Sequence, residues 1–195
     1  MLSAVAEQIS KFPTLPMQQL SIASLQQLRR WFWLLLVLNI IFIAGTSLYL
    51  RPLTSGQIVR FELAKHVAAA ETIIYEWSSN GLLAKAIQSI YLDFFFILLY
   101  TSGLSVAAIF LSKLTQHEVM MRTGKFFSYL MVAAGICDVI ENVALLKSLY
   151  GTVSYWNVIL AYDMAATKFS LIILCILFIG VCVIFWGLDR LTTKP

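Results

Sequence analysis

The chain is 195 residues long, 60% hydrophobic and only 12% charged, with a mean hydropathy of +0.84, a balance outside the range of soluble globular domains. Its net charge of +4 comes from basic residues scattered singly and not interleaved with aromatics, which excludes a nucleic-acid surface and suits charges that anchor helix ends beside a bilayer. Cys137, Cys175 and Cys182 all lie inside apolar runs with no C-x-x-C pair, which argues against a disulfide framework or a zinc finger and leaves them as small packing residues.

A helix that crosses a bilayer needs roughly 20 apolar residues, and four runs qualify, at about 31–50, 86–112, 126–146 and 168–188. The expected fold is therefore an all-α integral membrane protein, a bundle of four transmembrane helices filling residues 31–195. Ahead of it, residues 1–30 read as a cytoplasmic interfacial segment. Pro13 and Pro16 split this segment into two weakly amphipathic pieces, one with Val5, Ile9 and Phe12 on a face, the other with Leu20, Leu25 and Leu28 leading into Arg29 and Arg30. A thin apolar stripe on a polar helix suits the membrane surface. With about 30 mostly polar residues in front of it and no small-residue cleavage site behind it, the first span reads as an uncleaved anchor.

Arg51-Pro52 stops the first span, and Thr54 or Ser55 can cap a second helix. An amphipathic helix is expected over about 56–77, between spans 1 and 2, with Val59, Leu63, Val67, Ala70, Ile74 and Trp77 along one stripe. Arg60, Lys65, Glu71 and Glu76 around the rest make it too charged to span, which places it across the outer, extracytoplasmic mouth of the bundle. Ser78-Ser79-Asn80-Gly81 reads as the break before the second span, and Ser154 as the cap of a helix that begins well before the fourth.

Orientation follows from lysine and arginine. Lys11, Arg29, Arg30, Lys113, Arg122, Lys125, Arg190 and Lys194 fall on one side, against Arg51, Arg60, Lys65, Lys85, Lys147 and Lys168 on the other. The short 112–125 connection holds three of the first group, so the positive-inside rule places both termini in the cytoplasm. Trp31, Trp33 and Trp186 mark the same interface.

The third run is the anomaly, because it carries Asp138, Glu141 and Asn142 where a carboxylate costs about 2.5–3.5 kcal/mol on insertion scales. Their i, i+3, i+4 spacing puts them on one flank of the helix. At 1.5 Å per residue from Lys85 and Lys147, Asp93 lies about 12 Å in, Glu141 about 9 Å and Asp138 about 13 Å, so acids from two helices share a layer. Tyr100 follows Asp93 by seven residues on the same face. Lys168, about 27 Å before Trp186, can reach that layer or snorkel outward. Neighbouring carboxylates in a low dielectric do not all ionise cheaply, so the layer calls for a cation or a shared proton.

Several functions fit such a layer. A membrane-embedded enzyme acting on a lipid or lipid-soluble substrate would draw catalytic groups from Asp93, Asp138 and Glu141. A ligand-binding protein, transporter or ion pathway would use Glu62, His66, Tyr100, Asn142 and Lys168 beside them, and four spans make a thin wall unless the protein is a homo-oligomer. A structural or accessory subunit would use the same groups as a plug that fixes helix register. A divalent cation with oxygen ligands, magnesium, calcium or manganese, could sit among Glu62, Asp93, Asp138 and Glu141. Only His66 and His117 are available as histidines, which excludes histidine-rich oxygenase or hydrolase chemistry, and no G-x-S-x-G or P-loop occurs. The partners implied are the bilayer and a lipid or small hydrophobic ligand.

Overall fold

The computed structural model describes the backbone of residues 17–192 and the side chains of residues 25–191. Among them the chain is all-α, without a sheet. Six helices follow in order: α1 (Met17–Tyr49), α2 (Ser55–Glu62), α3 (Val67–Ser79), α4 (Leu83–Leu114), α5 (Glu118–Tyr150) and α6 (Tyr155–Thr192). The expected piece around Val5, Ile9 and Phe12 lies outside the described residues. From Met17 onward one helix runs into the first apolar stretch.

Four of the helices are long and apolar enough to cross a membrane, at Leu25–Tyr49, Leu83–Leu114, Glu118–Tyr150 and Tyr155–Leu191. Each outruns its apolar stretch because the hydrogen-bonded ladder continues into polar turns. The longest, α6, has 38 residues and a length of about 57 Å, well beyond a ~30 Å hydrocarbon core. It starts where Ser154 accepts a bond from the Asn157 N–H at 3.2 Å, as the capping residue requires.

The amphipathic region departs from expectation. One continuous helix over 56–77 is replaced by α2 and α3, which are separated at 63–66. Phe61 and Ala70, both buried, are nine residues apart, and at about 100° per residue they would occupy opposite faces of a single helix. Breaking the helix lets both face inward. The expected stripe holds in α3, where Ala70 and Trp77 are buried and Val67 and Ile74 pack against the same cluster, but not in α2, where Val59 and Leu63 are exposed and Phe61 faces inward. Thr54 starts α2 with a reciprocal capping box to Gln57. At the end of α3, Gly81 takes φ +66°, a left-handed position that glycine accepts without strain. The N–H of Leu82 bonds to the Trp77 carbonyl at 2.7 Å and that of Gly81 to the Ser78 carbonyl at 3.2 Å, closing the helix and turning the chain into α4.

The bundle is built on α5, which packs along both α4 and α6, while α1 packs along α4 and shares no packed seam with α6. Two apolar clusters divide the interior. At the end that carries α2 and α3, Phe61, Ile73, Trp77, Ile90, Leu145 and Val158 pack together. At the opposite end, Met131, Ala134, Ala108, Cys175, Phe178 and Cys182 pack with almost no exposure.

Small residues let α4 and α5 approach closely, as is usual where two helices meet without a hydrophobic driving force. A Cβ on Gly124 would lie 2.7 Å from the Ala108 carbonyl oxygen, and one on Gly135 would lie 2.8 Å from Thr101 Cγ2, whereas Gly45 has nothing within 4 Å. Backbone cannot yield as a side chain can. Gly124→Val is therefore expected to destabilise the fold by about 2 kcal/mol or more and lower Tm in detergent, with Gly45→Ala as the neutral control. Equal Tm values for the two variants would refute the close α4/α5 seam.

Candidate functional site

Between the two apolar clusters lies a polar layer whose centre is the ammonium of Lys168. Its Nζ donates to Asp138 Oδ1 at 2.7 Å, contacts Glu141 Oε2 at 2.8 Å and approaches Glu62 Oε2 at 3.5 Å. One cation thus ties α2, α5 and α6 together. Lys168 is 4% exposed, Asp138 2%, Glu141 0% and Glu62 8%, so water does not screen these pairs as it screens a surface pair.

The remaining bonds bring in α4. Tyr100 donates its hydroxyl proton to Asp138 Oδ2 at 2.8 Å, so Asp138 is held through both oxygens. Asn142 donates from Nδ2 to Asp93 Oδ2 at 2.7 Å. The helical periodicity explains the division of labour. Asp138 and Asn142, four residues apart, share a face toward α4, while Glu141 is turned toward the α6 seam.

Satisfaction is incomplete. Glu62 Oε2 and Glu141 Oε2 meet Lys168 as ion pairs, and Glu141 Oε1 has no hydrogen-bond partner. Buried polar atoms normally find a partner. For Glu62, which stands outside the candidate spans on α2, burial pushes the carboxyl up from its ordinary range, Lys168 pulls it back and Asp138 pushes it up again.

Against this layer opens a cavity of about 450 Å³. Phe42, Ile43, Thr46 and Ser47 of α1 form one wall, Ser55, Ile58, Val59 and Glu62 of α2 another, and Phe169 and Ile172 of α6 a third. On α4, Ser89, Ile90, Leu92, Asp93, Phe96, Tyr100 and Leu104 complete it. Its polar patch is Glu62, Asp93, Tyr100, Asp138, Asn142 and Lys168. Phe96 stacks on Phe42 at 5.8 Å between ring centroids, which fixes the α1 wall to α4. The walls on α1 and α6 have no packed seam between them.

Of the residues expected to form a site, Glu62, Asp93, Tyr100, Asp138, Glu141, Asn142 and Lys168 converge. Glu141 is behind the cavity and does not line it. His66 does not join them: it is exposed, sits in extended conformation just before α3 with no side-chain cap bond, and is not among the residues that line the cavity. The apolar wall on α1 was missed, since Phe42, Ile43 and Thr46 carry no chemical signature and only packing shows which face of a span borders a void.

The expected divalent-cation site at Glu62, Asp93, Asp138 and Glu141 does not fit. Among the described residues no three acidic, histidine or cysteine side chains are grouped to hold a metal ion. The point on which Glu62, Asp138 and Glu141 converge is occupied by the Lys168 ammonium, which fills the position a metal ion bound by these three would take. The chain matches no family model, no curated protein and no solved structure.

The Glu62 carboxyl makes a pH prediction. A folded-state pKa above the unfolded one means that protonated Glu62 favours the fold, and that this contribution is lost as pH rises through the folded value. Its neighbours Lys168, Asp138, Glu141 and Asp93 are present in both proteins compared. Glu62→Gln should therefore have a Tm that falls less than that of wild type as pH is raised above the ordinary carboxylate range. Parallel Tm curves from acid to neutral pH would show that Glu62 is not desolvated.

Proposed function

We propose that this chain is a multi-pass membrane protein that binds an amphiphilic, lipid-soluble molecule in the lateral cavity, its polar head at the Lys168 layer and its apolar body against α1 and α6. The observation that carries the reading is the conjunction of the cavity with the layer. A volume of about 450 Å³ falls within the range of small-molecule sites, which are largely apolar with a few convergent polar groups. The opening lies between helices, where a molecule dissolved in the bilayer would arrive without crossing water.

A pathway through the bundle is less well supported. The end opposite α2 and α3 is packed solid by Met131, Ala134, Ala108, Cys175, Phe178 and Cys182, and α4, α5 and α6 run unbroken, whereas transporter sites are commonly built on interrupted helices. In this reading the end that carries α2 and α3 faces away from the cytoplasm, both termini lie on the cytoplasmic side, and α2 roofs the site at the outer boundary. Lys168 lies 18 residues before Trp186 in α6, about 27 Å along the helix, which agrees with that depth.

The layer also has a structural role, favoured by the double bonding of Asp138 to Tyr100 and Lys168. Those bonds fix the register of α4, α5 and α6. Binding uses what they leave over.

Thr46 lines the cavity from α1 and gives its hydroxyl to the Phe42 and Ile43 carbonyls, not to the charged groups, so Thr46→Trp should fill the void while leaving the layer intact. In a nonionic detergent or a lipid nanodisc, dodecanol or dodecylamine is expected to raise the Tm of wild type saturably, by mass action on the folded state. Thr46→Trp should fold and show no such rise. Identical responses of the two proteins to both probes would refute binding in the cavity.

A further inference from the structure

The hydrogen-bonding groups left over at the cavity point to the chemistry of the head group. Taking donors first, the Tyr100 hydroxyl proton is given to Asp138. Lys168 is surrounded by Asp138, Glu141 and Glu62. Asn142 has given one amide hydrogen to Asp93. Acceptors are in surplus. Asp93 has committed only Oδ2, and Glu62, which is buried and lines the cavity, is met by Lys168 only at Oε2 and only at 3.5 Å.

Charge has the same sign. The layer gathers Glu62, Asp93, Asp138 and Glu141 around Lys168, four carboxyl groups and one ammonium. Asp138 and Glu141 take the two short contacts to Lys168, and the two carboxyl groups it satisfies least, Glu62 and Asp93, border the void beside Asp138. A phosphate or carboxylate head placed there would meet more acceptors than donors, since beside the second Asn142 amide hydrogen and the Ser47 and Ser55 hydroxyls the lining presents the carboxyl groups of Glu62, Asp93 and Asp138. A head that donates and carries positive charge would supply what both carboxyl groups lack.

Resting on the binding reading above, we infer that the ligand is an amine-headed amphiphile: a protonated amine held between Glu62 and Asp93, with an apolar body extending past Phe42 and Phe169 toward the opening. The α2 helix is then a specificity element. It brings Glu62 over the void, and the break at 63–66 that buries Phe61 and Glu62 together sets its angle.

Three probes with one tail separate the possibilities: dodecylamine, dodecanol and dodecanoate, each titrated against the full chain in nonionic detergent with the saturable rise in Tm as the readout. Dodecylamine should bind about tenfold or more tightly than dodecanol, because a hydrogen bond to a charged group is the stronger kind, and dodecanoate should bind most weakly. Glu62→Gln should bring dodecylamine to the level of dodecanol while dodecanol binding persists. Asp93→Asn, which keeps an amide oxygen for Asn142, is a second variant with the same expectation. Dodecanoate binding as tightly as dodecylamine, or an amine preference that survives both substitutions, would overturn the head-group assignment and leave the cavity reading standing. Failure of every probe to distinguish wild type from Thr46→Trp would overturn both.

Discussion

Everything in this molecule depends on the burial of Lys168 among carboxyl groups. Removing an ammonium or a carboxylate from water costs several kcal/mol per ion even after relaxation, so each group in the layer is tolerable only because of the others. The arrangement is also directional. Lys168 belongs to α6, Asp138 and Glu141 to α5, and Glu62 to α2; displacement of any of these helices leaves a charge unanswered in an apolar interior. The polar layer therefore specifies how the helices sit, more than it adds to how strongly they hold. Strength comes from close small-residue packing of α4 on α5 and from the apolar clusters on either side of the layer.

The same constraint creates the site. A layer in which every acceptor met a donor would be a plug and nothing else, but four carboxyl groups cannot all be satisfied by one lysine, one tyrosine and one asparagine. What is left over borders a void, because α1 leans on α4 through the Phe42–Phe96 stack and through Asn39, which bonds to the Leu99 carbonyl at 3.0 Å, and does not close against α6. No residue of the most apolar stretch of α1 is buried within the chain. This helix acts as one wall of the cavity.

Much of this layer was legible in the sequence because the residues concerned are conspicuous where they stand. Acids in a spanning run are too costly to be incidental, and counting the rise per residue from Lys85 and Lys147 was enough to put Asp93, Asp138 and Glu141 in one layer, while Lys168, counted from Trp186, was left free to reach it or to snorkel outward. Tyr100 and Asn142 followed from helical spacing. The direction of His66 was not legible, since it depends on where the chain breaks between α2 and α3. That break did have a sign, in the half-turn of phase between Phe61 and Ala70, which a single stripe through Val59 and Leu63 concealed. Nor could a metal be told from an ammonium by composition: both answer a cluster of acids, and only the reach of the Lys168 side chain decides between them. The cavity left no trace, because a void is a property of how helices pack and not of any residue.

The central claim, that one buried cation holds the layer, is tested most directly by removing it. Lys168→Met keeps the length and apolar stem of the side chain but leaves Asp138, Glu141 and Glu62 without their partner, and breaking a buried pair in this way costs about 3–5 kcal/mol. Thermal unfolding of Lys168→Met should show a large fall in Tm, and adding Glu141→Gln to it should recover part of that fall by removing a carboxylate that has lost its partner. A Lys168→Met protein as stable as wild type, or one that Glu141→Gln destabilises further, would contradict the account.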